Sequence, residues 1–274
     1  MSDQVAQAPP FFASPLFASR SLLPFADRVR QVPANAPFRW LEAGWRDLRR
    51  SRGLSVAYAF LFVVGVFSLT AGLAAADLAY LIVPVGVVFM LIGPALTVGF
   101  YAISRDIEAN RDPTLGSAYT AWRSNSGGLF GLGLTVLLFL VGWLICATLV
   151  FALAFPDAGF NWQDELAGTL LTAKGMSFLA FGTAAGTVLA TIAFVAGAFS
   201  LPLLLDRREG LLEALATSAT AVVLNARAMA VWAGLIVLLI AAGLAGWYIG
   251  LCVTLPLVGH ASWHAYRAVI RQDA

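Results

Sequence analysis

Apolar residues run through this chain in long blocks separated by short polar punctuation, and the longest block sets the scale. From Met229 to Arg271 there is no Asp, Glu or Lys, and the first Arg is Arg267. As a single helix, at about 1.5 Å per residue, this stretch would be about 64 Å long, twice a hydrocarbon core of about 30 Å. The pattern therefore predicts two crossings. Gly243-Leu244-Ala245-Gly246 supplies the break, and Pro256 kinks the returning helix.

The same reading divides the rest of the chain. Spans are predicted at about 54–76, 78–104, 129–155, 176–205, 229–246 and 247–266, with Asp77 marking a very short outer turn and 156–175 forming a longer outer loop. Before each pair of spans stands a stretch with helical amphipathic spacing: Leu41, Trp45 and Leu48, then Leu115, Tyr119 and Trp122, then Leu215, Ala219 and Val222. In the first, Glu42, Arg46, Arg49 and Arg50 occupy the other face, and Trp122-Arg123 echoes Trp45-Arg46. Pro94 precedes Arg105 by the same interval as Pro256 precedes Arg267, and Pro202 lies near the inner end of the fourth span. The expected architecture is an all-α membrane protein of six spans, built as three parallel repeats at about 39–105, 112–208 and 211–268, each an interfacial helix followed by a two-span hairpin. Parallel repeats lack the inverted symmetry common in alternating-access transporters. Residues 39–271 form this membrane domain, and 1–38, rich in Pro and Phe, read as a disordered cytoplasmic tail.

Composition agrees with lipid as the main solvent. The chain is 60% hydrophobic and 12% charged, with a mean hydropathy of +0.82. Backbone groups in lipid must be satisfied within their own segment, so helices are the default. Of 17 basic residues, 16 are Arg and one is Lys174. The arginines flank the spans, among them Arg207, Arg208 and Arg267, which points to the positive-inside rule and not to nucleic acid. With six spans every Arg falls on the cytoplasmic side, both termini included. The expected partners are the bilayer and other membrane proteins or further copies of the chain.

Candidate chemistry is sparse. No Asp, Glu, Lys or Arg lies between the span limits, which argues against proton pumps, ion-coupled carriers and channels for charged substrates. His260 and His264 share one face of the last helix by i,i+4 spacing, beside Trp263 and Tyr266. The plain reading puts them in the inner aromatic belt; the sharper one makes them metal ligands, or ligands of a haem shared across a dimer. No cofactor is expected from the rest of the sequence. With both histidines on one helix, no Ser-His-Asp or paired-carboxylate set is expected to assemble from aqueous residues. Cys146 and Cys252 read as buried thiols packing as small hydrophobes. Gly182 and Gly186 form a small-xxx-small pair, read first as intramolecular packing and second as an oligomer contact.

Two segments carry a family resemblance. Leu255-Pro256-Leu257-Val258-Gly259-His260-Ala261-Ser262-Trp263-His264-Ala265-Tyr266-Arg267 resembles the ending of a bacterial integral membrane family known as domain of unknown function 2189, and Glu42-Ala43-Gly44-Trp45-Arg46-Asp47-Leu48 resembles its first helix. The resemblance runs from about residue 39 to the end. It implies a six-span inner-membrane protein and brings no substrate, cofactor or catalytic residue. The functional expectation is a non-enzymatic accessory, assembly or scaffold partner in a membrane complex. The alternatives are a carrier for an apolar or zwitterionic molecule such as a lipid or quinone, and a redox or metal protein using the histidine pair.

Overall fold

The computed structural model describes residues 23–78, 81, 97–114, 125–154, 172–207, 209–246 and 248–272, with 116, 117, 120 and 123. Among these the regular elements are all helices. They are α1 (Ala36–Arg50), α2 (Arg52–Ala75), α3 (Val98–Glu108), α4 (Ser126–Ala154), α5 (Ala173–Gly197), α6 (Ser200–Asp206), α7 (Leu211–Leu224), α8 (Ala226–Ala245) and α9 (Leu251–Val269), after a short 3-10 turn at Ala26–Arg28.

Among the described residues, four segments are long and apolar enough to cross a bilayer: Arg52–Ala75, Ser126–Val150, Gly175–Asp206 and Ala226–Ala245. The helix α9, predicted as a sixth span, is not among them, because its second half carries His260, Ser262, Trp263, His264, Tyr266 and Arg267. The stretch predicted as the second span lies mostly outside the described residues, as do Pro94, Trp122 and Arg208. Asp77 does mark a turn: α2 ends at Ala75, and Asp77 adopts a left-handed backbone with φ of 58°. The break before α9 falls slightly later than predicted, with turns at 246 and 248–250 and Tyr248 left-handed.

Proline positions explain two local features. Pro256 sits inside α9. Pro202 cannot donate to the carbonyl four residues back, and the helix is interrupted at Ala198-Phe199, between α5 and α6. Ser218 of α7 repairs the interruption, accepting from Phe199 N at 3.0 Å and donating to Val195 O at 3.0 Å.

The core lies at the end where α1, α3, α6, α7 and the second half of α9 meet. Trp263, Tyr266, Phe100, Phe199 and Leu203 are its largest fully buried side chains. The helix α9 is the hub, touched by α1, α2, α3 and α8. Close approach depends on glycine at two places: a Cβ on Gly44 would lie 2.6 Å from Ala261 N, and one on Gly259 would lie 2.7 Å from Phe100 Cβ.

Three expectations need correction. Residues 23–35 are part of the fold and not a disordered tail. Val29 is fully buried and forms an antiparallel bridge with Ile270, Arg30 N donates to Val269 O at 2.7 Å, and Arg28 pairs with Glu213 at 2.7 Å. Helix α1 is rotated from its predicted face: Ala36, Trp40, Gly44, Asp47 and Leu48 are buried, while Trp45 is exposed under the Arg49 guanidinium at 5.1 Å. Helix α7 turns in part the same way, burying Ala214, Thr217, Ser218, Thr220 and Ala221 together with the predicted Val222, while Leu215 packs partly buried against the core. Small residues set these contacts because they let backbones meet, whereas the prediction followed the large apolar ones. Finally, Cys252 is buried but Cys146 is exposed on α4.

Candidate functional site

Asp47, Ser51 and Ser55 recur every four residues, so they form one polar stripe from α1 across the α1–α2 junction into the start of α2. At the junction Ser51 N and Ser51 Oγ both donate to Asp47 O, at 2.9 and 2.8 Å. A hydroxyl bonded back to the carbonyl four residues earlier bends a helix, and here it lets the chain turn from α1 into α2 without stranding a backbone group. His260 and His264 form the matching stripe on α9, which Gly44 brings into close contact.

The two stripes interlock. His260 Nε2 meets Ser55 Oγ at 2.9 Å, and Ser55 Oγ meets Ser51 Oγ at 2.8 Å. His260 Nδ1 meets Ser104 Oγ of α3 at 2.8 Å, and Ser104 reaches Asp47 Oδ2 at 2.7 Å. The same Asp47 oxygen holds His264 Nε2 at 2.8 Å. Phe100 packs edge-on against the His260 ring, with centroids 5.5 Å apart, and Tyr58 packs on Phe100. Ser55, Ser104 and His260 have no exposed surface, and Asp47 is 7% exposed. Side-chain exposure of 27% at His264 opens the cluster to its surroundings. Burial works against the Asp47 carboxylate, but the bonds from His264 and Ser104 and the nearby histidine rings outweigh it and hold the group below its ordinary value.

Further along α9 the same helix fixes the elements that carry the flanking arginines. Trp263 Nε1 donates to Glu108 at 3.1 Å, Arg267 pairs with Glu108 at 2.7 Å, and Tyr266 OH donates to Asp206 at 2.8 Å. Arg207 also reaches the Arg271 carbonyl. The remaining predicted interfacial residues stay at the surface: Arg46 pairs with Glu42 at 3.2 Å, and Arg50 and Arg123 are exposed.

His260 is therefore not in an aromatic belt but inside the helix junction. One helix supplies both rings while α1, α2 and α3 bring the carboxylate and hydroxyls; the His260 ring and these groups are buried, and the serine, not the His260 ring, holds the carboxylate in the order His260–Ser104–Asp47. Both His260 nitrogens are spent on serines, and among the described residues no group of three or more His, Cys, Asp or Glu converges as metal ligands. A hydroxyl 2.8–2.9 Å from an imidazole is the spacing of a nucleophile and its base. With no surface at Ser55, Ser104 or His260, the only transfer this conformation permits is of a proton. The four-residue polar spacing of Asp47, Ser51 and Ser55 was a visible signal. Its link to Ser104 and to a ring far along the chain was not.

Apolar helices around a packed polar junction define an all-helical integral membrane protein. Residues 82–206 match the model of a family described as predicted integral membrane protein (DUF2189), and over that segment the chain is similar to it. The matched segment contains Ser104 and lies between the two segments that carried the resemblance. No curated protein and no solved structure matches the chain.

Proposed function

We propose that this protein is a non-enzymatic membrane component that acts by association, docking to other membrane proteins or to its own copies through the outer faces of α4 and α5. The observation that carries this reading is the openness of α5. Gly182 and Gly186 stand one turn apart, and a side chain built on either meets nothing within 4 Å among the described residues. Phe181 and Val188 beside them are exposed, as are Phe130, Leu138 and Leu153 on α4. Small residues set among large apolar ones form the surface by which helices associate in lipid, where close backbone approach replaces the hydrophobic drive.

The reading includes six spans, three parallel hairpins and cytoplasmic termini. Ser55 and Ser104 both bond His260, so the chain leaves this junction along α2, about 36 Å of helix, and is back by α3. Asn125, just before α4, bonds Leu204 O at 3.0 Å, so α4 and α5–α6 also begin and end at one level. Helices α8 and α9 do likewise, since Trp40 packs on Trp232 while Asp47 bonds His264. Arginines gather at that end, the cytoplasmic one by the positive-inside rule. Alkaline phosphatase fused after Phe160 or Ala245 is expected to be active, and after Asn110, Gly210 or Gln272 inactive.

Native mass spectrometry from lipid nanodiscs tests the association. The expected species is an oligomer or a complex with a second protein that falls to a monomer in the double variant Gly182→Leu, Gly186→Leu. A monomeric parent carrying one equivalent of a lipid or quinone would overturn the reading in favour of a carrier.

A further inference from the structure

The hydrogen bonds around His260 can be counted against the protons available to make them. Six bonds form the network: Ser51 to Asp47 O, Ser51 to Ser55, Ser55 to His260, His260 to Ser104, Ser104 to Asp47, and His264 to Asp47. Each bond needs one hydrogen. Three serines bring one each, His264 brings the one on Nε2, and a neutral His260 brings one on either nitrogen. With Asp47 as a carboxylate, five hydrogens face six bonds.

We propose that this junction is a proton-binding site, holding one proton beyond that set, shared between Asp47 and His260 through the hydroxyl of Ser104. Two arrangements satisfy all six bonds. In one, His260 carries hydrogens on both nitrogens, Nδ1–H donates to Ser104 and Ser104 donates to an ionised Asp47. In the other, the Nδ1 proton has passed to Ser104 Oγ while the proton of Ser104 has passed to Asp47 Oδ2, so both groups are neutral and the bonds point the other way. No hydrogen is gained or lost between them. Burial of the whole set favours the neutral arrangement, and the bond from His264 to Asp47 favours the charged one.

The surroundings suit a single shared proton. Besides burial, the groups acting on His260 are Asp47 from α1, His264 from its own helix and the backbone of Phe100 in α3, which is also within hydrogen-bond reach of the ring. Helix α2 presents the Ser55 hydroxyl and, behind Phe100, Tyr58; α3 presents Ser104 and Phe100. Helix α8 meets the outer part of α9 through apolar side chains such as Ile240, near Leu251. Arg267 is held by Glu108 and Arg111 by Asp106, so neither neutralises Asp47. The part-exposed His264 is the point of entry. Because two interacting groups hold one proton, their titration belongs to the pair.

The experiment uses the full chain, labelled with 15N-histidine, in lipid nanodiscs at pH 7. The chain has only two histidines, so His264→Gln assigns the His260 signals. Infrared difference spectra against Asp47→Asn report the carboxyl. The proposal expects either two protonated ring nitrogens on His260, or one protonated nitrogen together with a protonated Asp47 carboxyl. Removing Ser104 deletes two bonds and one hydrogen, so Ser104→Ala is expected to release the extra proton, leaving a neutral ring and an ionised Asp47. Ser51→Ala deletes the same number and is expected to do the same, while Ser51→Thr keeps the proton; this pair carries the test if Ser104→Ala does not fold. A neutral His260 beside an ionised Asp47 in the parent would overturn the proposal, as would an extra proton that persists in every serine variant.

Discussion

Helices α5 and α9 are of similar length and are built in opposite senses. Helix α5 carries no ionisable group along its apolar run from Met176 to Gly197 and leaves much of that surface open. Helix α9 is less apolar, yet it buries His260, Trp263 and Tyr266 almost completely. A water-soluble protein would do the reverse. In lipid there is nothing to gain by hiding α5 from its solvent, while polar groups that leave water must find partners in the protein. The closest contacts between helices in this chain therefore follow its polar and small residues, while the large apolar side chains divide between the core, as at Trp263 and Phe100, and the open faces, as at Phe181.

If that contrast is right, substitutions at the junction are costly and those on the open faces are not. The largest loss is expected from Asp47→Ala, which leaves Ser104 and His264 without their acceptor in a buried site. Breaking a buried charged contact from one side costs about 3–5 kcal/mol, and equilibrium unfolding in mixed micelles would read it. Gly44→Ala comes next. Its methyl would press on the Ala261 backbone, with an expected loss of about 1–3 kcal/mol by the same assay. Phe181→Ala on the open face is expected to change monomer stability by less than about 0.5 kcal/mol and to act, if anywhere, on association.

A pH series sharpens the contrast in a different way. Where Asp47 is the ionised member of the pair with His260, its carboxyl is held below the unfolded value of 3.8, so that contribution to stability is complete above that pH and is lost as the pH falls through the lower, folded value. Stability of the parent is expected to fall in that acid window, and that part of the fall should be missing in Asp47→Asn.

Four apolar spans were legible because hydropathy is a local property. Asp77, Pro202 and the break before Tyr248 are punctuation of the same local kind. The faces of α1 and α7 were misjudged by about one residue, since Trp45 and Leu215 outweigh Gly44 and Ser218 in any apolar count although the small residues make the closer contacts. Residues 23–35 looked like a tail because what orders them lies at the other end of the chain, in Ile270 and Val269, and in Asn225, whose Oδ1 accepts from Val32 N at 2.8 Å. The histidine pair was conspicuous, but its partners were not. Ser55 and Ser104 resemble any small polar residue near a span end until packing brings them to the same ring.

The measurement that bears most directly on the polar junction is a double-mutant cycle between Ser104→Ala and His260→Gln, read by unfolding free energy in lipid micelles. If the network fixes α2, α3 and α9 together, the two losses are expected to be non-additive by about 1 kcal/mol or more, within the range found for residues that share one hydrogen-bond network. Losses that simply add, with no coupling, would mean that apolar packing alone holds this junction and would contradict the contrast drawn between α9 and α5.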